Sequence, residues 1–588
     1  MGSEVIEMPV AIRKLTIKRF RGIEKLDWLP SPGQNLILGG GDVGKTTVLD
    51  AIGLLLSPYD SIAVTDLDYW ARGVSEGFEI CGVFVLPPGS GRYQQANQYW
   101  PWEWDGNALR VPGEKDQEAA LGREGISEAA HLLRVTGGPD LDLTWEVVQP
   151  NGDAQRLGVG FRRSIGLVQL DIERSPDRDL SLAFGSALDR YLQDRSLPRR
   201  VAGEVQALDL SSVVDEDVRK RLDVLDERLK PDGLPSGISL GVVSGRGTTM
   251  GGLIHLFGRK SEQVSLPLSS WGLGTRRLAT ARIASECRAE AGIVVADEIE
   301  RGLEPYRVRV LLRTLRTAGQ QAFMTTHSPL TVRAAEGATL WYMDAKGTLA
   351  ELPRDKFDSK TVRWYPETFF SRLAVVCEGY TEMGFIGALL DEMVSEGVEA
   401  HGIFLTCGFG NQQARELLNT LAIAGIKASG LVDNEGDSPG RWARLKEQLG
   451  GLLYQWPEGE TERNVVAALE IPQLQSLLTD EEGLPRTDRI KHVNVRLESS
   501  GFTGTWESAE LQGLREAIVR SSTKDRSDGT SKEEAKSQER AWFKSEIGGR
   551  ELARAIGGVE GVKKKLPMIY EFLERVCSAV GLRPENRR

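Results

Sequence analysis

The sequence is poor in cysteine, in long apolar runs and in net positive charge. Its five cysteines, Cys81, Cys287, Cys377, Cys407 and Cys577, lie scattered through 588 residues without a CxxC pair. That argues against a zinc site and against a disulfide framework, and leaves them as small buried hydrophobes. No apolar run reaches spanning length and no basic, apolar leader opens the chain, so the expectation is a cytoplasmic protein without a membrane partner. The formal charge is -11, which is not the basic footprint of a nucleic-acid binder. It does not exclude one, because a site built from many carboxylates and neutralised by divalent metal leaves a protein acidic overall. Sustained heptads are missing as well, so no long coiled coil is expected.

What remains is ordinary globular composition, 40% apolar and 27% charged, on a chain long enough for roughly two to four domains. The opening AIRKLTIKRFRGIEKLDW alternates in polarity, as a half-buried strand pair does. A further apolar run leads into GGGDVGKTTVLDAIGLLL, where Gly39, Gly44, Lys45, Thr46 and Thr47 meet the P-loop spacing between a strand and an amphipathic helix. Glycines there let backbone N–H groups face phosphate oxygens. Lys45 reaches the β- and γ-phosphates and Thr46 ligates Mg²⁺, so ATP is the expected nucleotide. Far downstream, AGIVVADEIE ends a short strand on Asp297, to hold Mg²⁺, and Glu298, to orient or deprotonate the attacking water. LSSWGLGTRR just before it offers Ser270, Gly272 and Gly274 to a phosphate, with charge from Arg276 and Arg277, and FMTTHSP ends a strand on His327.

This order of motifs resembles the ABC-type ATPases of the SMC-like and RecF-like group, and IKRFRGI resembles their N-terminal strand. The resemblance implies a homodimer in which two heads sandwich two nucleotides and each signature completes the opposite site. The signature departs from LSGGQ, so Ser270 and Gly272 are the positions carried over. More than 200 residues separate Lys45 from Ser270. Within them, QQANQYWPWEW and VTGGPDLDLTWEVVQPNG read as strands and turns, and two segments in 171–235 have helical periodicity. We read 171–235 as an inserted helical unit that dimerises, against the alternative that its helices cover the ATPase sheet. Trp100, Trp102 and Trp104 read as packing residues rather than a base-stacking platform.

Irregular patterning at 352–370 marks a boundary. Beyond it, LAVVCEGYTE ends an apolar strand on Glu378 and places Glu382 one helical turn onward. A strand-end carboxylate is costly to bury without a cation. ASGLVDNEGD ends another strand on Asp433, Glu435 and Asp437, and adjacent parallel strands would bring both acidic ends to one edge. Such a crowd is tolerable with divalent metal between its members.

A strand ending in Glu-Gly, followed roughly 55 residues later by one ending in Asp-x-Asp/Glu, resembles the Toprim domain. EGYTE coupled to an SMC-like ATPase narrows the resemblance to the OLD (overcoming-lysogenization-defect) family nucleases, and the short interval to their class 2 members. The fold class so implied is α/β: an ABC-type ATPase domain in two parts, 1–170 and 236–352, with the helical insertion 171–235, followed by a Rossmann-like Toprim domain with helical additions at 369–588. The implied activity is ATP-hydrolysing DNA endonuclease or nickase chemistry with two Mg²⁺ or Mn²⁺ ions. Glu378, Glu382, Asp433 and Glu435 are the implied ligands, with Glu462 preferred to Glu460 as a further one, and Lys544 in ERAWFKSEIGGR is the implied catalytic lysine. DNA is the implied partner, a helicase a further one, and phage defence or DNA repair the setting suggested by analogy. The competing reading is an ATP-gated DNA-binding sensor whose Toprim half is structural. A topoisomerase would need a tyrosine presented by a domain that no segment resembles.

Overall fold

The computed structural model describes residues 10–59, 62–86, 100–112, 128–170, 180–182, 186–194, 214–232, 234–242, 254–262, 264–286, 292–352, 365–394, 396–434, 436, 438–480, 482–522 and 542–582. The chain forms two compact units, Met1–Glu351 and Leu352–Arg588.

In the first unit the P-loop strand Gln34–Gly39 is buried along its whole length and lies between Ala322–Thr325 and Thr339–Met343, parallel to both. Ile293–Ala296 and then Leu167–Gln169 extend this sheet in parallel, and Leu349–Leu352 closes its other edge. Strands buried on both faces read as unbroken apolar runs, and IVVA and AFMT are of that kind. Helix Lys45–Leu55 packs Val48, Ile52 and Leu55 into a core with Val295 and Phe323 of this sheet and Ile12 and Ile17 of a second one. That second sheet is antiparallel and eight-stranded: Ala11–Phe20 pairs with Ile23–Trp28 on one side and Phe78–Val85 on the other, and Glu128–Gly137 follows. Each fully buried aliphatic or aromatic side chain in the shared core contributes about 1.5–3 kcal/mol relative to exposure.

The tryptophans of the gap are packing residues in part: Trp104 is buried, Trp102 donates its indole N–H to the Val148 carbonyl at 2.7 Å, and Trp100 is exposed. Most of 171–213 falls outside the described residues, but Glu216–Leu229 is a helix. The Asp215 carboxylate caps it, accepting from Val218 N at 3.0 Å, and Val218, Leu222, Leu225 and Leu229 form its buried stripe. It rests against helix Leu273–Glu286, where Arg282 pairs with Asp232 at 2.6 Å and Arg228 with Glu286 at 3.2 Å. Among the described residues these contacts hold the helix against the first unit.

The second unit is built on a four-stranded, all-parallel sheet in the order Ile403–Cys407, Leu373–Cys377, Ala428–Val432, Leu453–Gln455. The first strand in sequence thus sits inside, with the second on one side and the third on the other. In such doubly wound sheets a crevice opens at the carboxyl ends of the two strands where the winding reverses. Here those are Leu373–Cys377 and Ala428–Val432, the strands that run into Glu378 and Asp433. Leu373, Val375 and Cys377 join Phe385 and Leu389 of helix Tyr380–Met393, together with Leu552 and Phe572 of the C-terminal helices, in one core. Cys377, Cys407 and Cys577 are buried, Cys81 is only half-buried, and none of the four is in a disulfide, while Cys287 lies outside the described residues.

Candidate functional sites: a P-loop centre and a buried acid cluster

The P-loop turns on Gly44, whose φ of 104° is left-handed, and helix Lys45–Leu55 starts directly after it. Lys45 is buried and donates to the carbonyls of Gly39, at 3.1 Å, and Gly40. Burial pushes its pKa down against the opposing pull of Asp297, Asp42 and Glu298. The Thr46 hydroxyl donates to Asp297 Oδ2 at 3.0 Å, and Thr47 is half-buried on the next position of the helix. Thr46 and Asp297 are the residue types that share Mg²⁺ in P-loop enzymes, and their contact fits that ion with ATP. Glu298 sits at φ 42°, an uncommon conformation for a non-glycine residue, with its N–H on Thr325 Oγ1 at 2.8 Å.

Arg277 departs from the sequence expectation. It is 1% exposed, and its guanidinium donates to the carbonyls of Leu170 (2.6 Å), Asp297 (2.8 Å), Glu298 (3.0 Å) and Arg301 (2.8 Å). It therefore braces the acidic turn from behind rather than offering charge to a phosphate. Only the tertiary fold reveals this, because a helical arginine beside a glycine-rich signature looks the same in sequence whichever way it points. Ser270 and Gly272 are exposed ahead of helix Leu273–Glu286, and an added Cβ on Gly272 would meet nothing within 4 Å. His327 is exposed at the end of Ala322–Thr325, its backbone N–H held by Glu300 Oε1 at 2.8 Å.

In the second unit Glu382, Asp433 and Glu462 converge: one carboxylate oxygen of each lies within 4.8 Å of the others. They are 3%, 5% and 0% exposed. Three elements deliver them. Glu382 occupies the third position of helix Tyr380–Met393 and accepts from Gly379 N at 2.8 Å, capping that helix. Asp433 follows Ala428–Val432 and accepts from both the N–H and the hydroxyl of Thr461, each at 2.9 Å. Glu462 is the second residue of helix Thr461–Ala467, two positions after the Glu460 N-cap.

Burial, then the neighbouring Glu382, Glu378 and Glu462, push Asp433 up to about 9. Burial and Glu462 push Glu382 up to about 7. Glu462 Oε2 is buried and has no hydrogen-bond partner. A mutually repelling, buried set with an unsatisfied carboxylate oxygen is the donor chemistry of a hard divalent cation such as Mg²⁺ or Mn²⁺.

Glu378 stands beside this trio rather than in it. Its Oε2 accepts from Asn411 Nδ2 and from Asp433 N, both at 2.9 Å, so it clips the two strand ends together. Asn411 itself went unnoticed in the sequence. It also donates to the Asp433 carbonyl at 3.1 Å and accepts from Trp442 Nε1 at 3.2 Å. The signal available was GFGN directly after the apolar run IFLTC, a third strand end at the same sheet edge. Glu435 lies outside the described residues.

Lys544 supplies the cation at the rim: Nζ is 3.0 Å from Glu462 Oε1 and 3.6 Å from Glu460 Oε2. Burial alone would lower its pKa, but Glu462, Glu460 and Glu382 outweigh it and raise the ammonium above its ordinary value. The following segment is locked to helix Tyr380–Met393. The Thr381 hydroxyl donates to the Phe543 carbonyl, and a Cβ on Gly549 would stand 2.1 Å from the Thr381 carbonyl.

Residues 142–333 match the family described as "AAA domain, putative AbiEii toxin, Type IV TA system". This stretch of the chain is an ATPase domain. The match takes in Ser270, Asp297, Glu298 and His327 and begins after the P-loop, which the geometry above joins to them. No curated protein matches the chain. Among solved structures, the chain is similar to the Smc head domain with an extended coiled coil bound to the C-terminal domain of ScpA from Pyrococcus furiosus, at 13% identity and TM-score 0.36, covering 59% of this chain and 98% of that one. It is similar to the recombination mediator protein RecF with ATPγS at 12% identity and TM-score 0.34, over 59% and 99%. The SMC head domain from Thermotoga maritima follows at 14% and 0.29, over 58% and 98%. Among the described residues no helix is long and apolar enough to cross a membrane.

Proposed function

We propose that the protein is an ATP-hydrolysing, divalent-metal-dependent DNA endonuclease or nickase of the OLD type, with a Toprim-like second unit, acting as a homodimer. The observation that carries the reading is the convergence of Glu382, Asp433 and Glu462 at the carboxyl edge of a parallel sheet, buried and with Lys544 at its rim. A structural acid cluster would be matched by its own cations. Here three buried carboxylates face one lysine among the described residues, and one oxygen of Glu462 has no partner.

Glu382, Asp433 and Glu462 would hold Mg²⁺ or Mn²⁺, and Glu435 is the sequence candidate for a second ion. When bound, such ions activate a water and stabilise the leaving 3′ oxygen of a phosphodiester. The chain's own groups do the rest. Lys544, kept charged by Glu462 and Glu460, swings between those carboxylates and the scissile phosphate, where it offsets developing negative charge. Glu378 and Asn411 keep the two strand ends in register, and Thr461 orients Asp433. In the ATPase unit, Asp297 and Thr46 would hold Mg²⁺, Glu298 would orient the attacking water, and His327 would contact the γ-phosphate.

Conversion of supercoiled plasmid to nicked or linear form in Mg²⁺ or Mn²⁺ tests the reading. Wild type is expected to cut and Glu462→Gln to lose at least 100-fold. A wild type that cuts in neither metal while still hydrolysing ATP would turn the protein into the ATP-gated sensor.

A further inference from the structure

The first unit of this acidic chain carries a patch of clustered arginines that neither active centre uses. A cleft of about 360 Å³ in the first unit is lined by Arg309, Arg313, Arg316 and Arg333, with Leu312 on its floor and Glu336 as its one carboxylate. Arg309, Arg313 and Arg316 fall at i, i+4 and i+7 of helix Pro305–Ala318, opposite the face that buries Val308, Leu311 and Leu315. Arg333 comes from the short helix that follows His327. All four arginines are exposed.

Other exposed or half-buried arginines of the unit answer a carboxylate, as Arg13 answers Glu128 at 2.8 Å and Arg134 answers Glu146 at 2.7 Å. Arg309 and Arg313 form no ion pair among the described residues, and Arg316 turns one N–H to the Glu336 backbone carbonyl at 3.1 Å, not to its carboxylate. Like charges at i, i+3 and i, i+4 destabilise a helix. Aligned guanidinium groups around a concavity focus potential and match phosphate in bidentate fashion.

We propose that this cleft is a second nucleic-acid site, one that grips the phosphodiester backbone without reading bases. From Arg309 to Arg316 the helix rises about 10 Å, a length over which one strand of a duplex presents about three phosphates. The remaining lining residues, Val310, Leu312 and Ala334, bring no side-chain donor or acceptor for a base edge. The inference does not rest on the nuclease reading, since the cleft lies wholly in the ATPase unit.

The test uses the full chain in EDTA without nucleotide, so that neither cutting nor ATP turnover intervenes. Fluorescence anisotropy of a labelled 30-base-pair duplex is read from low to moderate salt, with circular dichroism as the check on folding. Arg309→Gln/Arg313→Gln is expected to bind about tenfold more weakly and to flatten the log–log salt slope by about 2, near one unit per lost phosphate contact. The control Lys25→Gln/Lys220→Gln removes the same charge from exposed, paired lysines and is expected to behave as wild type. Arg309→Lys/Arg313→Lys is expected to keep the slope. Equal affinity and slope for the folded Arg309→Gln/Arg313→Gln protein would overturn the proposal. So would a wild type that ignores duplex yet binds poly-glutamate through the same arginines, which would mark an acidic protein segment as the ligand. A protein that binds duplex through the cleft and never nicks plasmid retires the nuclease reading and leaves this one standing.

Discussion

Asp433 shows how much a single position is asked to tolerate. Its carboxyl is pushed up to about 9, by burial first and then by Glu382, Glu378 and Glu462. A cation bound among these groups favours the folded state alone and stabilises it by about 2.7 kcal/mol at one hundred times its dissociation constant. Thermal unfolding of wild type is therefore expected to shift upward on adding Mn²⁺ to the EDTA-treated protein. Asp433→Asn, which keeps an oxygen for the two Thr461 donors, is expected to fold as well as wild type in EDTA and to show no shift. His131 poses a separate residue-scale question. Burial pulls its imidazole down to about 4 from an ordinary value near 6.5. The unfolded chain then binds the proton first, so stability is complete above about 6.5 and is lost as the pH falls toward 4, by an amount on the order of 3 kcal/mol. Urea midpoints taken across that window should fall for wild type and stay flatter for His131→Leu.

At the scale of elements, the acid cluster depends on two helices that touch backbone to backbone. Tyr380–Met393 carries Glu382, and Glu546–Ile556 follows Lys544. A Cβ on Gly384 would stand 1.9 Å from the Glu546 carbonyl, and one on Gly549 would stand 2.1 Å from the Thr381 carbonyl. No side chain could move aside to relieve either contact, because both obstacles are backbone. Gly549→Ala is thus expected to force the helices apart, costing about 1–3 kcal/mol in denaturant unfolding. It should also lower nicking more than that destabilisation explains, because Lys544 moves with its helix. Gly549 was visible in the sequence as part of a plain GG. That it seats one helix on another more than 160 residues away along the chain was not, since nothing in a glycine pair says which partner it faces. The choice of Glu462 over Glu460 has the same character. Glu460 is the extended N-cap and Glu462 stands two residues on, in the first turn, and only the docking of helix Thr461–Ala467 decides which of them is buried.

Over the whole molecule, the ATPase centre and the acid cluster belong to units with separate cores. Lys45→Ala is expected to abolish ATP hydrolysis while leaving most metal-dependent nicking, as read from phosphate release and plasmid conversion on the same preparation. Nicking that disappears together with hydrolysis in the folded variant would mean obligatory coupling. The exposure of Ser270 and Gly272 leaves them free of cover, as the proposed completion of the nucleotide site by a second copy requires. Lys45→Ala and Ser270→Arg are each expected to be inactive alone, and a mixture of the two to regain part of the ATPase rate. A mixture as dead as its components would mean that each head works by itself.

Local chemistry was legible wherever a strand runs straight into the residue that acts. The P-loop after Gln34–Gly39, Asp297 after Ile293–Ala296, and Glu378 and Asp433 after their strands could all be placed at a sheet edge from the chain alone, because strand periodicity and a following turn are short-range properties. Which of those acids gather, and which merely hold the others in place, was settled by the fold. Glu378 became the clip, Glu462 the third member, Arg277 a hidden brace and Asn411 an unforeseen partner. The physical reason is that convergence depends on strand order and helix docking, and these follow from burying apolar surface over the whole unit rather than from any stretch of ten residues.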